Sequence, residues 1–102
     1  MRLERIAWSG TTSPDEGMLR ATLEREGFDV FAWTDPPGAT YTEHAHDHDE
    51  SLWCVAGEIT FGAGDTQLAL APGDRLMLPS GTRHTARTGA AGATYLIGQR
   101  RS

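Results

Sequence analysis

The 102-residue chain is predicted to be all-β with one short N-terminal helix, folded as a single domain. From Phe28 onward, short segments rich in Val, Ile, Thr and aromatic residues are separated by turn clusters at Pro36-Pro37-Gly38, Gly62-Ala63-Gly64-Asp65, Pro72-Gly73-Asp74 and Pro79-Ser80-Gly81. Such regular punctuation belongs to an antiparallel sandwich or barrel. The composition agrees: 38% of residues are hydrophobic, and the twelve glycines and five prolines are scattered rather than gathered into a linker.

The helix is expected over about residues 14–26. Ser13 can accept from free amides, Pro14 suits a first turn, Glu16 stands at capping-box spacing and Gly27 provides a stop. Met18, Leu19, Thr22 and Leu23 form a short apolar stripe that can lie against a sheet. Strands are expected near 28–34, 39–46, 50–56, 58–62, 66–70, 75–78, 83–88 and 93–98.

Charge and cysteine content narrow the function. The net charge is −5, all nine basic residues are arginine, and their largest cluster is the pair Arg100-Arg101, so a nucleic-acid surface is disfavoured. Cys54 stands alone and cannot close an intramolecular disulfide. The segment Met1–Ile6 lacks the apolar core of a signal peptide, and no apolar run reaches membrane-spanning length. A cytoplasmic location, with no membrane partner, is the default expectation.

Three of the four histidines fall in the stretch Gly38–Glu50. On an extended strand alternate side chains share a face, so His44 and His46 can direct two imidazoles at one ion. Glu50 can return to that face after a turn at Asp47-His48-Asp49, and His84, at the start of another expected strand, can add a third imidazole. Imidazoles mixed with a carboxylate suit a borderline transition metal. The competing reading of these four residues is a solvated, acidic strand pair.

These residues resemble the two sequence motifs of the cupin superfamily. The first runs Gly38, five residues, His44-Ala45-His46, three residues, Glu50, six residues, Gly57. The second runs Gly73, five residues, Pro79-Ser80-Gly81, two residues, His84, three residues, and then Thr88, where the family usually has Asn. The resemblance spans about residues 36–98 and is similar to the compact single-domain bacterial cupins. It implies a jelly-roll β-barrel over about 28–98 and one divalent metal, Fe, Mn, Ni, Zn or Cu, held by His44, His46, Glu50 and His84 with positions left for substrate. Thr88 replaces a structural residue rather than a ligand.

The remaining candidates take plainer readings. His48, Asp47 and Asp49 belong to the expected turn and are read as solvated. Cys54 lies roughly 13 Å past Glu50 along an extended strand and is read as a buried structural thiol. Trp53 and Val55 have the parity opposite to Glu50 and need cover, from the helix or from a second copy; a homodimer is the expectation. Arg83 and Arg87 have the parity opposite to His84 and are read as outer-surface charges, while Arg75 stays unassigned. Phe31, Trp33, Phe61, Met77 and Tyr95 are read as core or interface rather than pocket lining.

The resulting expectation is a metal-binding small cupin that binds or acts on a small organic molecule. Dioxygenase or isomerase chemistry is expected if it is catalytic, with Glu50 as ligand and proton acceptor. A non-catalytic metal- or metabolite-binding module is the alternative, because a fold of this kind hosts both.

Overall fold

Asp15, not Ser13, caps the helix: its side chain accepts from the Met18 amide at 3.1 Å, so the helix (α1, Glu16–Arg25) starts two residues later than its sequence suggests. Both residues are good caps, and the aspartate wins because Pro14 stays outside the helix instead of opening it. The end is as expected. Gly27 takes a positive φ of 91°, Gly27 N–H donates to Glu24 O, and Phe28 N–H donates to Leu23 O, the paired bonds of a glycine-terminated helix.

The computed structural model describes residues 1–100, so Arg101 of the expected Arg100-Arg101 cluster lies outside the described residues. The strands are β1 (Glu4–Ile6), β2 (Asp29–Asp35), β3 (Thr40–His44), β4 (Asp49–Ala63), β5 (Thr66–Leu70), β6 (Arg75–Leu78) and β7 (His84–Arg100). They form one seven-stranded sheet in the order β1-β6-β4-β7-β2, with β3 added to β7 and β5 to β4. Every pairing is antiparallel. β1 was not foreseen, since three residues carry too little alternation to register as a strand.

Two long strands organise the sheet. β4 and β7 pair with each other from Asp49↔Arg100 to Gly62↔Thr85. The first half of β4 takes β6 on its other edge, and the second half takes β5. Likewise β7 takes β3 along its first half and β2 along its second. Sequence reading divides each of these long strands in two at its glycines. In the structure they bend instead of breaking: the register slips between Cys54 and Ala56 and again between Gly57 and Ile59. Gly57 and Gly92 adopt φ of 73° and 71°, and a Cβ on Gly57 would lie 2.1 Å from the Gly92 carbonyl oxygen. Only glycine permits that approach at positive φ.

Strand alternation sorts side chains into two cores. Leu52, Cys54, Ile59, Phe61, Leu76 and Leu78 pack in the cluster that backs the candidate site. On the opposite face Leu19 and Leu23 of α1 pack with Phe28 and Leu96, and Trp8, Val30, Trp53 and Val55 join them. Trp53 and Val55 therefore face away from the candidate site, as parity predicts, and the chain's own helix covers them. Met18, expected in the stripe, is 71% exposed.

Arg75 belongs to this second face. Its Nε donates to Ser51 Oγ at 2.6 Å, its guanidinium pairs with Glu26 just past α1, and it stacks on Trp53 at 4.6 Å. The hydrogen bond from Arg75 holds the Glu26 carboxyl below its ordinary pKa. Thr88 is structural, as the resemblance implies: it is buried, its hydroxyl donates to Pro36 O at 2.7 Å and accepts from Ala39 N–H at 2.8 Å, and it thereby pins the β2–β3 loop. No helix among the described residues is long and apolar enough to cross a membrane.

Candidate metal centre

β3 ends where β7 begins, and this junction assembles the site. His44 is the register partner of His84 across the β3–β7 ladder, so the two imidazoles start on one face of neighbouring strands. Their ring centroids are 4.3 Å apart. His46 lies in the β3–β4 loop, with its ring 4.9 Å from His44 and 5.3 Å from His84. That loop is tied to the turn preceding His84 by two bonds, Gly81 N–H to His46 O at 2.8 Å and Ser80 N–H to Asp49 Oδ1 at 2.8 Å. Asp49, read as solvated, is thus a buried staple between two site loops.

The backbone sets two of the imidazole tautomers. His44 Nδ1 is 2.6 Å from Thr42 O, and His84 Nδ1 is 2.8 Å from Thr82 O. A carbonyl can only accept, so each Nδ1 carries a proton, and in the neutral ring it is Nε2 that holds the lone pair for an ion. One ring nitrogen from each of His44, His46 and His84 falls within 4.8 Å of the others. Burial pushes the pKa of His84 down, which favours the neutral, ligating form.

Glu50 is 4% exposed and joins from β4. Its Oε1 is 3.7 Å from His46 Nε2, while its Oε2 accepts from His48 Nε2 at 3.0 Å and from Gln99 Nε2 at 3.2 Å. His46, His48 and Glu50 form a second cluster that shares His46 with the first. His48 does sit in the β3–β4 loop, but it is not solvated: it reaches back between Glu50 and Asp47 Oδ1, the latter at 3.2 Å. Burial works against its proton, yet hydrogen bonds to Glu50 and Asp47 outweigh that and raise its pKa.

A cavity of about 280 Å³ opens over these groups. His44, His46, Glu50 and His84 line it together with Trp33, Tyr41, Phe61, Tyr95 and Gln99, among others. Trp33, Phe61 and Tyr95, read as core or interface, line this cavity, and Phe61 and Tyr95 belong to the buried core as well. Parity alone does not distinguish a filled interior from a hollow one. Tyr41 and Gln99 escaped sequence reading; Gln99 becomes visible only through its pairing opposite Glu50. Arg83 and Arg87 lie outside, on Glu43 and Gln67 respectively.

At one wall Asp35 gathers three donors: Tyr41 Oη at 2.6 Å, Tyr95 Oη at 2.7 Å and Trp33 Nε1 at 3.0 Å. Burial alone would raise the Asp35 pKa, but the bonds from Tyr41, Tyr95 and Trp33 bring it below the ordinary value. The carboxylate in turn raises the Tyr41 pKa, and burial with Asp35 raises that of Tyr95.

The chain is similar to known proteins over different shares of its length and theirs. The chain is 33% identical to quercetin 2,3-dioxygenase of Bacillus subtilis over 61 residues, which is 59% of this chain but only 18% of that enzyme. Among solved structures, DMSP lyase DddQ from Ruegeria pomeroyi superposes with a TM-score of 0.66 at 31% identity, covering 72% of this chain and 38% of that one. KdgF from Halomonas sp. superposes with a TM-score of 0.65 over 98% of this chain and 82% of its own, and at 20% identity it speaks to the fold alone. The sequence profile described as Cupin domain matches residues 31–97, which include every histidine and Glu50. The chain belongs to the cupin domain family.

Proposed function

We propose that the chain holds one divalent transition metal through His44, His46, His84 and Glu50 and acts there on a small uncharged organic molecule, with dioxygenation as the reaction. The observation that carries this reading is the convergence of three imidazoles and a buried carboxylate on one open cavity. That donor set fits borderline metals, Fe, Mn, Ni, Zn or Cu, better than a hard, all-oxygen ion. Such an ion, when bound, supplies Lewis acidity and, if redox-active, a route to O₂.

The chain's own residues set the rest. No arginine among the described residues lines the cavity, so no side chain there adds a fixed counter-charge for an anionic substrate to that of the ion. Leu52, Phe61, Ile97 and Trp33 exclude water around an apolar body. The protons of Tyr41 and Tyr95 are committed to Asp35, which leaves phenol oxygens that accept, suited to a substrate hydroxyl. Glu50 is the carboxylate placed to take up that hydroxyl's proton. The 33% identity to quercetin 2,3-dioxygenase favours dioxygenation over isomerisation.

Three companion readings go with this one. The bent sheet closes around the cavity as a jelly-roll β-barrel, supported by the family's fold; two copies associate, supported by Phe31, 49% exposed on β2; and the protein works in the cytoplasm, supported by Cys54, a free buried thiol.

The test is oxygen uptake by protein loaded separately with each candidate metal and offered quercetin and simpler hydroxylated aromatics. Equimolar consumption of O₂ and aromatic, with both atoms of ¹⁸O₂ in the product, supports the reading. Turnover without O₂ points to isomerisation, and saturable binding without turnover points to a non-catalytic module; either result rejects dioxygenation.

A further inference from the structure

The two oxygens of Glu50 are not equivalent. Oε2 accepts from both His48 and Gln99, whereas Oε1 faces His46 at 3.7 Å. We propose that His48 and Gln99 are positioning residues that hold Oε2, so that Glu50 presents Oε1 alone to the ion. This rests on the metal reading above and goes beyond it, because neither residue belongs to the ligand set.

Each donor arrives by a feature of the fold. Gln99 is the register partner of Glu50 in the β4–β7 ladder, which places the two side chains opposite each other on one face. His48 precedes Glu50 by two residues, at the end of a loop held in place by the bonds to Ser80 and Gly81. His48 has no nitrogen to spare for an ion: Nε2 meets Glu50 Oε2, and Nδ1 meets Asp47 Oδ1. His44 and His84 contrast with it, since each gives Nδ1 to a carbonyl and retains Nε2.

Gln99 also lines a second cavity of about 220 Å³ that His48 shares with Gly27, Asp29 and Arg100. Gln99 lines both cavities and His48 lines the second, so Glu50 is held from the side of that second space. A carboxylate anchored through one oxygen has one oxygen left to ligate, which keeps further positions on an ion open. Without the anchor, Oε2 becomes a buried acceptor lacking its partners, and it turns toward the ion as a second ligand atom.

The experiment uses Co(II) as the probe with wild type, His48→Leu, His48→Gln and Gln99→Met, each checked for folding by circular dichroism. The side chain of Gln reaches about as far as that of His and keeps a donor. Affinity by chelator competition should fall about tenfold or more in His48→Leu and in Gln99→Met, the usual effect of removing an outer partner of a ligand. The visible spectrum of bound Co(II) should change in both, as the carboxylate passes from one-oxygen to two-oxygen ligation. His48→Gln should restore affinity and spectrum, and X-ray absorption should count the same imidazoles throughout. Unchanged affinity and spectrum in His48→Leu and Gln99→Met overturn the inference alone. Loss of an imidazole in His48→Leu overturns it by making His48 a ligand. Failure of wild type to bind Co(II) overturns the metal reading itself, and this inference with it.

Discussion

His44 and His84 face each other across the β3–β7 ladder with ring centroids 4.3 Å apart, each with Nδ1 fixed by the carbonyl two residues before it. Two imidazoles so close together, with no bond between them, are the pair on which the proposed ion site rests. Protein purified without added metal or chelator is expected to carry close to one metal equivalent per chain. His46→Ala together with His84→Ala should abolish it, because too few ligands remain for a competent site. Native mass spectrometry reads the outcome, and full occupancy in the double mutant would sink the assignment.

Asp35 holds the aromatic wall through bonds from Tyr41, Tyr95 and Trp33. Asp35→Ala leaves the Tyr95 hydroxyl, on a residue only 5% exposed, without its acceptor. An unsatisfied buried group of that kind costs about 1–3 kcal/mol. Urea denaturation should show a lowered midpoint with an unchanged slope. Asp35→Asn keeps an acceptor and should lose less; equal losses in the two variants would mean that the bond to Tyr95 contributes little.

How much of this was legible in the sequence depends on how local the signal was. The clustering of His44, His46 and His84 was readable because the His44-x-His46 spacing and the Pro79-x-Gly81 turn before His84 are short-range features. Gln99 was not, because its importance comes from lying opposite Glu50, a register set by long strands and their bulges. His48 was misread as solvated for the same reason: nothing in the turn says that its ring folds back onto Glu50. Glycines at 57 and 92 read as strand ends because glycine usually marks a turn; here Gly57 packs on the Gly92 carbonyl, one residue from its register partner Ala93, and the paired strands bend together. The N-cap shifted from Ser13 to Asp15, a choice between two competent caps that local propensity does not resolve.

Trp53 separates stability from association. It packs with Leu19, Leu23 and Leu96, donates from Nε1 to Gly73 O at 2.7 Å and lies under Arg75. Trp53→Glu should therefore lower the melting temperature sharply by putting a charge into a packed layer, while leaving the oligomeric state of the folded fraction unchanged. Association, as proposed, should respond instead to Phe31→Lys on the exposed edge strand. Light scattering checks both: a monomeric wild type removes the dimer, and a Trp53→Glu variant that is folded, stable and monomeric would return the interface to Trp53.

Cys54 should be silent toward thiol reagents in the folded protein. It is fully buried, and burial pushes its thiol up to about 11 from an ordinary value of 9.0. The native state thus keeps a proton that the unfolded chain releases first as pH rises. The contribution to stability is complete below about 9 and is lost as pH climbs toward 11. Cys54→Ala should flatten that alkaline decline, and a disulfide reagent should react at pH 8 only on addition of denaturant. Fast labelling of native protein would contradict the burial.

Acid should remove the metal and its stabilising effect together. Imidazoles ligate only when neutral, and their ordinary pKa is about 6.5, so protons compete with the ion at His44, His46 and His84 as pH falls. In the apo protein two histidines pull in opposite directions. Burial lowers the pKa of His84, so the unfolded chain takes up that proton first, and this contribution to stability is lost as pH falls below about 6.5. The pKa of His48 is raised by Glu50 and Asp47 against its burial, so its contribution is present in acid and lost as pH rises through the raised value. The apo curve should consequently be shallow. Loaded protein has a further term, about 2.7 kcal/mol when free metal exceeds its Kd a hundredfold, and this vanishes as protons weaken the site. Affinity should drop by more than tenfold per pH unit once several imidazoles take up protons on release of the ion. Melting temperatures measured from about pH 8 to pH 5, spanning the ordinary imidazole pKa, should start apart and converge for the loaded and apo forms. Parallel curves would show that the ion's grip on the folded state does not pass through these imidazoles.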